Sequence, residues 1–195
     1  METNLDNSFS KLSQRVNIIF KLYESLGHHE YIGEPVSILE HSMQTAYLAE
    51  KANCDEEVIL AAFFHDIGHL LCNEHEMTEL GNIQHEITGA TYLLQNGFSE
   101  KIALLVKNHV QAKRYLTFSN SDYYEQLSDA SKQTLIWQGG KMTPEEANKF
   151  VKDDYFKLSL KMRLWDEAAK NITLNLHHKL DIYQEMAQRH LLSYV

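Results

Sequence analysis

Apolar residues recur at spacings of three and four along most of the chain, and only two prolines and eight glycines interrupt them. This spacing places apolar side chains on one face of an α-helix, whereas a half-buried strand alternates apolar and polar residues. No two neighbouring segments show the alternation expected of a strand pair. The sequence therefore predicts an all-α fold, and its 195 residues fit one compact helical domain that spans positions 1–195.

Capping residues and glycines delimit the predicted helices. The clearest start is Thr143, followed by Pro144 at the first helical position and by Glu146, which can complete a capping box. The periodicity predicts helices over residues 10–26, 37–52, 55–68, 155–172 and 180–192, with further helices that begin after Gly81, at Ser99 and at Thr143.

Charge and composition exclude several classes of partner. A net charge of −9 argues against a nucleic-acid surface, which needs clustered Lys and Arg to neutralise phosphates. No apolar run approaches the roughly 20 residues that span a bilayer, and the polar N-terminal segment is neither a secretory signal nor a transit peptide. We therefore expect a cytoplasmic protein without nucleic-acid or membrane partners, in an oligomeric state that the sequence leaves open.

The strongest chemical feature is the adjacent pair His65 and Asp66 within the apolar segment AAFFHDIGHLL. Burying an ionisable pair costs free energy unless something compensates it, and a divalent metal bound by both side chains would do so. A lone pair of this kind is nevertheless more often a satisfied core or capping pair than a metal site. The pair alone therefore does not decide between these interpretations.

Four more residues strengthen the metal interpretation. His41 lies on the predicted helix before this pair, and His85 and His109 fall at the same sequence separation on the next two predicted helices. Asp166 lies on a late helix, from which it can supply a carboxylate from the opposite side. Four imidazoles and two carboxylates are sufficient for two metal ions that share a bridging carboxylate.

The order His, His-Asp, His, His, Asp resembles the HD-domain superfamily, in particular its members with two additional histidines that hold two metal ions. The closer resemblance is to the PhnZ-type 2-amino-1-hydroxyethylphosphonate dioxygenases. It extends from about residue 31 to residue 189 and is carried by the segments YIGE, LEHSMQTAYLAE, AAFFHDIGHLL, KNHVQAKRYL, LSDASKQTLIWQGGKMTPEEA and RLWDEAAK. It implies two iron ions, a mixed-valent Fe(II)/Fe(III) pair, that activate O2 for cleavage of a carbon–phosphorus bond. The implied metal ligands are His41, His65, Asp66, His85, His109 and Asp166, with Asp66 as the bridge.

The same resemblance implies the substrate and its contacts. The substrate is (R)-2-amino-1-hydroxyethylphosphonate, which O2 converts to glycine and phosphate. Glu34 is implied to pair with the ammonium group, and Tyr31 to occupy an iron coordination site at rest and to swing away when substrate binds. From the residues alone, a tyrosine packed at a surface and a solvated glutamate are the simpler interpretation. The implied phosphonate contacts are Lys113, Ser131 and Arg163, with His69 as a contact of the substrate or of a metal ligand.

Two other functions stay open at this point. An HD-type phosphohydrolase of a nucleotide or phosphomonoester would use its metals to activate water instead of O2, and the low basic content and the YIGE loop argue against it. A regulatory module that only senses a ligand would be expected to lack a metal ligand, and here the set is complete. Imidazole and carboxylate also accept manganese, zinc or cobalt, so the assignment of iron rests on the resemblance.

The other cysteines, tryptophans and histidines are predicted to have no role at the site. Cys54 and Cys72 are expected to be free, partly buried thiols, and Trp137 and Trp165 to be core residues. The histidines predicted to be solvated or capping residues are His28, His29, His75, His177, His178 and His190.

Overall fold

The computed structural model describes residues 2–28, 33–71 and 84–194, with side chains from residue 10 onward. All regular elements within these ranges are helices, which confirms the predicted fold class. None of the described helices combines the length and apolarity that a membrane span needs. Two short 3₁₀ segments cover Ile67–Leu70 and His177–Lys179. The α-helices are α1 (Glu2–Leu26), α2 (Ile38–Lys51), α3 (Glu56–Phe64), α4 (His85–Gln95), α5 (Glu100–Ser119), α6 (Ser121–Gln126), α7 (Asp129–Trp137), α8 (Pro144–Phe150), α9 (Phe156–Ala168) and α10 (Leu180–Leu192).

Short polar side chains begin several of these helices, as the sequence predicts. Ser37 and Thr143 each form a capping box: the hydroxyl accepts from the backbone N–H three residues later, and the glutamate there accepts from the N–H of the capping residue. The hydroxyl of Ser99 accepts from the N–H of Ile102 at 3.3 Å and satisfies one unpaired donor of α5. The caps thus fix the starts of α2 and α5, which both carry candidate metal ligands.

The main core surrounds α3, whose residues from 58 to its end are all buried. Phe63 stacks on Phe20 of α1 with 5.2 Å between the ring centroids, and it contacts Tyr183 of α10 at 5.4 Å. A helix that is apolar on every side is stable only when other elements surround it, and here these are α2, α5 and α10 together with the Phe20 contact from α1. The end of α3, directly before the His-Asp pair, is therefore fixed in the interior.

Two early helix boundaries differ from the predicted ones. α1 begins at Glu2 instead of near residue 10. α3 ends at Phe64 instead of continuing to residue 68, because Asp66 adopts φ −105° and ψ 10° and a 3₁₀ segment follows it. The His-Asp pair consequently lies in a turn between two helical segments and not within a helix.

The late helix α9 ends at Ala168, earlier than the predicted end at residue 172. The side-chain amide of Gln44 donates to the carbonyl oxygen of Asn171 at 2.9 Å and accepts from its N–H at 2.9 Å. A side chain of α2 therefore binds backbone groups that a longer α9 would have used.

The short helices α6 and α7 were not predicted. Asn120 and Ser128 cap them with hydrogen bonds from their side chains to backbone N–H groups. Such caps are visible in the sequence, but helices of this length are too short to show a periodic apolar face.

The surroundings of two side chains contradict the sequence-based expectation. His190, predicted to be a solvated or capping residue, is 7% exposed, and its ring stacks on Phe98 at 5.6 Å while Nε2 accepts from the N–H of Ser99 at 3.2 Å. Trp137 is 41% exposed because it ends α7 at the surface. Cys54 is free and partly buried, as predicted. Three further residues lie outside the described ranges: His29, Cys72 and His75.

Candidate metal centre

The HD turn, which consists of His65 and Asp66, is directed inward by the end of α3. His65 is the C-cap residue of α3, and its Nδ1 lies 2.8 Å from the carbonyl oxygen of Ala62. A carbonyl oxygen can only accept a hydrogen bond, so Nδ1 carries the proton and Nε2 presents a lone pair when the ring is neutral. Both residues of the turn are buried.

His41 and His109 are oriented in the same way. Nδ1 of His41 lies 2.9 Å from the carbonyl oxygen of Ala169, which follows α9, and Nδ1 of His109 lies 2.6 Å from that of Val106 within α5. In each neutral ring the carbonyl fixes the tautomer, and Nε2 is left as the atom that can bind a cation. The early end of α9 is therefore part of the site, because it frees the carbonyl that orients His41.

The first cluster consists of His41, His65 and Asp166. The Nε2 atoms of the two histidines lie 3.1 Å apart, and Oδ1 of Asp166 lies 3.2 Å from Nε2 of His41. Two neutral rings in these tautomers would repel one another at this distance, because neither Nε2 has a proton to share. A cation bound by both nitrogens removes this repulsion, so the donor set fits a metal ion.

The second cluster consists of His69, His85 and His109 and lies on the other side of Asp66. The Nε2 atoms of His85 and His109 are 3.1 Å apart, and they lie 3.3 Å and 3.6 Å from Oδ1 of Asp66. The ring of His69 stacks on that of His85 with 4.0 Å between centroids, and its Nε2 lies 4.0 Å from Oδ1 of Asp66. The structure therefore places His69, which the resemblance implied as a neighbouring contact, within reach of a metal bound to Asp66 and His85.

Asp66 connects the two clusters through its two carboxylate oxygens. Oδ1 faces the second cluster, whereas Oδ2 lies 3.2 Å from Nε2 of His65 and 3.7 Å from Nε2 of His41. Oδ2 is buried and accepts no hydrogen bond of good geometry within the described part of the chain. An unsatisfied buried acceptor of this kind costs about 1–3 kcal/mol or more. One oxygen in each cluster is the arrangement of a carboxylate that bridges two metal ions.

The shifted pKa values of these groups indicate that the site favours positive charge. Burial alone would lower the pKa of His65, but the carboxylates of Asp66 and Asp166 raise it to about 9. Burial would raise the pKa of Asp66, yet the imidazoles of His65 and His85 keep it well below its usual value. Burial and the neighbouring His85 keep the pKa of His109 well below its usual value. In the metal-free protein, a proton on His65 therefore supplies the charge that a metal would otherwise bring.

Gly68 and Gly89 allow the HD turn to approach the second cluster. A Cβ atom at Gly68 would lie 1.9 Å from the carbonyl oxygen of His85, and one at Gly89 would lie 3.0 Å from Cγ2 of Ile67. A contact of 1.9 Å leaves no room for any side chain. The 3₁₀ segment after the HD turn therefore packs directly on the first turn of α4, where His85 lies.

Lys113 is a buried cation one helical turn after His109 on α5, with 3% exposure. Its Nζ donates to Oγ1 of Thr134 at 2.8 Å and to Oε1 of Gln138 at 3.0 Å. Both acceptors are neutral, and the described residues provide no ion pair to Lys113. Burial and the charge of Arg163 keep the pKa of Lys113 well below its usual value of 10.5. An anion bound here would supply the missing opposite charge.

Arg163 lies on α9 beside Asp166 and is 4% exposed. Its guanidinium forms ion pairs with Asp166 and Glu167. It also donates from Nη2 to Oγ of Ser131 at 3.0 Å and from Nε to the hydroxyl of Tyr123 at 2.8 Å. Arg163 therefore holds the Asp166 carboxylate in place, and the phosphonate contact implied for Arg163 and Ser131 would add to contacts that they already make inside the protein.

Glu34, from the YIGE segment, lies at the start of α7, and its side chain is 7% exposed. Glu34 accepts from Oγ of Ser128 at 2.6 Å and pairs with Nζ of Lys170 at 2.7 Å. Gly33 has φ +70°, and a Cβ atom there would lie 2.9 Å from Cβ of Ala130. Gly33 and Glu34 are thus packed against the start of α7.

Sequence reasoning missed Tyr123, Glu167 and Lys170, although all three lie at the site. Glu167 follows Arg163 at helical spacing on α9, and Lys170 lies two residues after the end of that helix; both are visible in the segment RLWDEAAK. Tyr123 lies on α6, a helix that was itself not predicted. Tyr31, the implied resting iron ligand, lies outside the described residues.

A family model described as the HD domain matches residues 38–147, which is more than half of the chain. The matched span contains the HD turn and the four other histidines of the two clusters: His41, His69, His85 and His109. The chain belongs to the HD-domain family.

Three relatives of this HD-domain protein cover most of its length. An uncharacterized protein of Acanthamoeba polyphaga mimivirus is 40% identical over 189 residues, which are 95% of this chain and 86% of that protein. The 1-hydroxy-2-(trimethylamino)ethylphosphonate dioxygenase (glycine-betaine-forming) of Leisingera caerulea is 36% identical over 182 residues, or 90% and 92% of the two chains. The hydroxymethylphosphonate dioxygenase of Gimesia maris is 38% identical over 160 residues, or 80% and 79%.

Substitution Gly68→Ala is expected to remove metal from the second cluster only. The added methyl group collides with the backbone of His85 and moves α4 away from Asp66, whereas the first cluster does not depend on this contact. Metal analysis of reconstituted protein should therefore give about one metal ion per chain instead of about two. Asp66→Ala, which removes the bridge, should lose both.

Gly140→Ala is the matched control, because it strains a turn with φ +71° but meets no atom within 4 Å. It should bind metal as the wild type does, and circular dichroism should show helical content unchanged in all variants. Full metal content in Gly68→Ala would contradict the described packing of the second cluster.

Metal binding to the HD domain is expected to weaken as the pH falls. Because the pKa of His65 is about 9 in the metal-free protein, a metal must displace a proton from Nε2 at any lower pH. The affinity of the first cluster should decrease about tenfold per pH unit below that value, with release of roughly one proton. Anaerobic calorimetry with Fe(II) in buffers of different ionisation enthalpy measures both quantities.

His190→Gln replaces a buried histidine that belongs to neither cluster and should leave the proton release unchanged. If the metal affinity of the wild type does not vary between pH 6 and 8, His65 is not protonated before it binds metal.

Proposed function

We propose that the protein is an iron-dependent oxygenase that cleaves the carbon–phosphorus bond of a 1-hydroxyphosphonate with O2. The observation that carries this proposal is the juxtaposition of two clusters of candidate metal ligands, joined by Asp66, with the buried amine of Lys113, whose described hydrogen-bond acceptors are both neutral. The first part fits a pair of metals and the second an anionic substrate. Relatives that are 36% and 38% identical bear the names of dioxygenases of hydroxyphosphonates, which supports the same reaction here.

The residues of both clusters fit a pair of iron ions. His41, His65 and Asp166 would hold one iron, His85 and His109 the other, and Asp66 would bridge them. Imidazole and carboxylate suit iron, and no cysteine lies in either cluster. A mixed-valent Fe(II)/Fe(III) pair bound there would supply O2 activation and chelation of the hydroxyl and phosphonate oxygens. His69 is close enough to complete the ligand set of the second cluster or to contact the substrate.

Lys113 binds and orients the phosphonate in this proposal. A phosphonate oxygen that accepts from Nζ would compensate a charge that only neutral acceptors now solvate. Thr134 and Gln138 hold the ammonium group in place from the other side, so Lys113 is positioned before substrate arrives. Its burial also keeps water away from the charged group, which strengthens the interaction.

Arg163 and Ser131 form the second part of the phosphonate site. The guanidinium of Arg163 holds Asp166 at the first cluster, and Ser131 bonds to the same guanidinium. A phosphonate placed between Lys113 and this group would meet positive charge from two helices, α5 and α9. For Tyr31 we propose the role of a resting iron ligand that leaves when substrate binds.

The atom balance of the proposed reaction gives the expected products. One O2 and one 2-amino-1-hydroxyethylphosphonate contain the atoms of one glycine and one phosphate, with the carbon–phosphorus bond broken and both oxygen atoms transferred to the products. Within the proposed class, the resemblance implies (R)-2-amino-1-hydroxyethylphosphonate, whose ammonium group would bind Glu34. That preference requires the Glu34 carboxylate to be available to the substrate's amine.

The proposed reaction predicts stoichiometric O2 consumption. The protein, reconstituted anaerobically with Fe(II) and then exposed to O2, should consume one O2 for each phosphate released from a panel of 1-hydroxyphosphonates. Asp66→Ala, which lacks the bridging ligand, should be inactive. Phosphate release from nucleotides or phosphomonoesters at the same rate without O2 would replace this proposal with a metal-dependent phosphohydrolase.

Neutralising Lys113 is expected to act mainly on substrate binding. Lys113→Met removes a charge-assisted hydrogen bond worth about 1.5–3 kcal/mol, so KM should rise about tenfold to a hundredfold while kcat changes less. Steady-state kinetics of phosphate release measures both constants. Lys107→Met alters an exposed lysine of the same helix and serves as the matched control. Equal constants in both variants would show that Lys113 does not contact the phosphonate.

A further inference from the structure

A chain of charged side chains leads from the first cluster to Glu34. Arg163 pairs with Asp166 and with Glu167, and Glu167 in turn lies 3.2 Å from Nζ of Lys170 through Oε2. Nζ of Lys170 then lies 2.7 Å from Oε1 of Glu34. Lys170 is thus the last cation in this series of side chains and lies between the carboxylates of Glu167 and Glu34.

Helix α7 connects the Glu34 end of this series of charged side chains to the proposed phosphonate site. The step from Ser128 to Thr134 rises roughly 9 Å along the helix axis, comparable to a two-carbon phosphonate with a hydrogen-bond partner at each end. A substrate bound to Lys113 would therefore direct the substituent on its second carbon toward Glu34. The contacts along this face of α7 are Ser128 with Glu34, Ser131 with Arg163, and Thr134 with Lys113.

One oxygen of the Glu34 carboxylate, Oε1, already has two partners within the protein. Oε1 accepts from the hydroxyl of Ser128 at 2.6 Å and from the ammonium of Lys170 at 2.7 Å. Only 7% of the Glu34 side chain and 18% of the Lys170 side chain are exposed. An ion pair that is largely buried is screened little by solvent, and breaking it leaves an uncompensated charge.

We infer that Lys170 occupies the position at Glu34 that a substrate ammonium group would need, and that it makes the enzyme selective for 1-hydroxyphosphonates without a cationic substituent. The inference rests on the proposed function and specifies its substrate class. Lys170 acts as a specificity-determining residue for two reasons. Its ammonium group repels a second cation at close range. Because Lys170 is part of the same chain as Glu34, it does not have to be recruited from solution, as a substrate ammonium group does.

This inference reverses the substrate preference that the resemblance implies through Glu34. An amine-bearing substrate would have to displace Lys170 from Glu34, and among the described residues Glu167 would then be the one charged partner left to the lysine. A substrate with an uncharged substituent makes no such demand. The identity of residue 170 and not that of residue 34 therefore determines which hydroxyphosphonate is used best.

The test compares two substrates of the same shape. 1-Hydroxypropylphosphonate carries a methyl group where 2-amino-1-hydroxyethylphosphonate carries its ammonium group. For the iron-loaded wild type, kcat/KM for O2-dependent phosphate release should be higher with the uncharged substrate. Lys170→Met should shift the ratio of the two kcat/KM values toward the amine by about tenfold to a hundredfold, because Glu34 then becomes available to it.

Two further variants separate charge from structure. Lys170→Arg keeps the cation and should keep the wild-type ratio, whereas Lys170→Gln removes the charge with a polar side chain and should shift the ratio as Met does. Lys157→Met alters an exposed lysine of α9, the helix that ends just before Lys170, and should change nothing. Anaerobic calorimetry of the iron-loaded proteins should show the same shift in the two dissociation constants, independently of turnover.

The possible outcomes distinguish this inference from the proposed function. Turnover of both substrates with an unchanged ratio in Lys170→Met and Lys170→Gln overturns the role of Lys170 alone. A wild type that prefers the amine by tenfold or more has the same consequence. No O2-dependent phosphate release from any hydroxyphosphonate, in any variant, overturns the proposed function and this inference with it.

Discussion

The buried carboxylate of Asp66 is the constraint on which the rest of the site depends. Its two oxygens face opposite clusters of imidazole nitrogens, and one of them lacks a hydrogen bond of good geometry within the described residues. Acceptors concentrated in this way repel one another unless positive charge lies between them. In the metal-free protein the raised pKa of His65 supplies one proton, which is less charge than two metal ions bring. The apolar surroundings of α3 hold this unfavourable arrangement in place.

Backbone carbonyl oxygens orient three of the histidines at the candidate metal site. His41, His65 and His109 each point Nδ1 at a carbonyl oxygen, so that Nε2 carries the lone pair in all three neutral rings. For His41 this requires α9 to end at Ala168, and Gln44, one turn along α2 from His41, binds the backbone of Asn171 just beyond that end. The same helix thus carries one ligand and fixes the position of the segment that orients it.

The sequence predicted the helical fold and the residues of the two clusters because those features are local or chemically distinctive. Helical spacing identified α2, α3, α4 and α5, and histidines at equal separations on apolar segments indicated that the helices converge. The structure brings the six predicted ligands together and adds His69 to them. Their role as ligands stays a prediction, as does the single domain.

Features that depend on long-range contacts were not predictable in the same way. The pairing of Glu34 with Lys170 joins residues 136 positions apart, and no periodicity indicates it. The burial of His190 likewise depends on how α10 packs against the segment before α5. The resemblance to a family implied a free Glu34, and only the structure shows that Lys170 is bound to it. Sequence motifs therefore indicated the residues of the candidate site better than the contacts among them.

The central claim, that Asp66 bridges two iron ions, is tested most directly by anomalous diffraction at the iron absorption edge from anaerobically grown, iron-loaded crystals. The claim predicts two anomalous peaks on opposite sides of the Asp66 carboxylate. One should lie within bonding distance of Oδ2, His41, His65 and Asp166, and the other within bonding distance of Oδ1, His85 and His109. A single peak, or two peaks of which Asp66 binds only one, would contradict it.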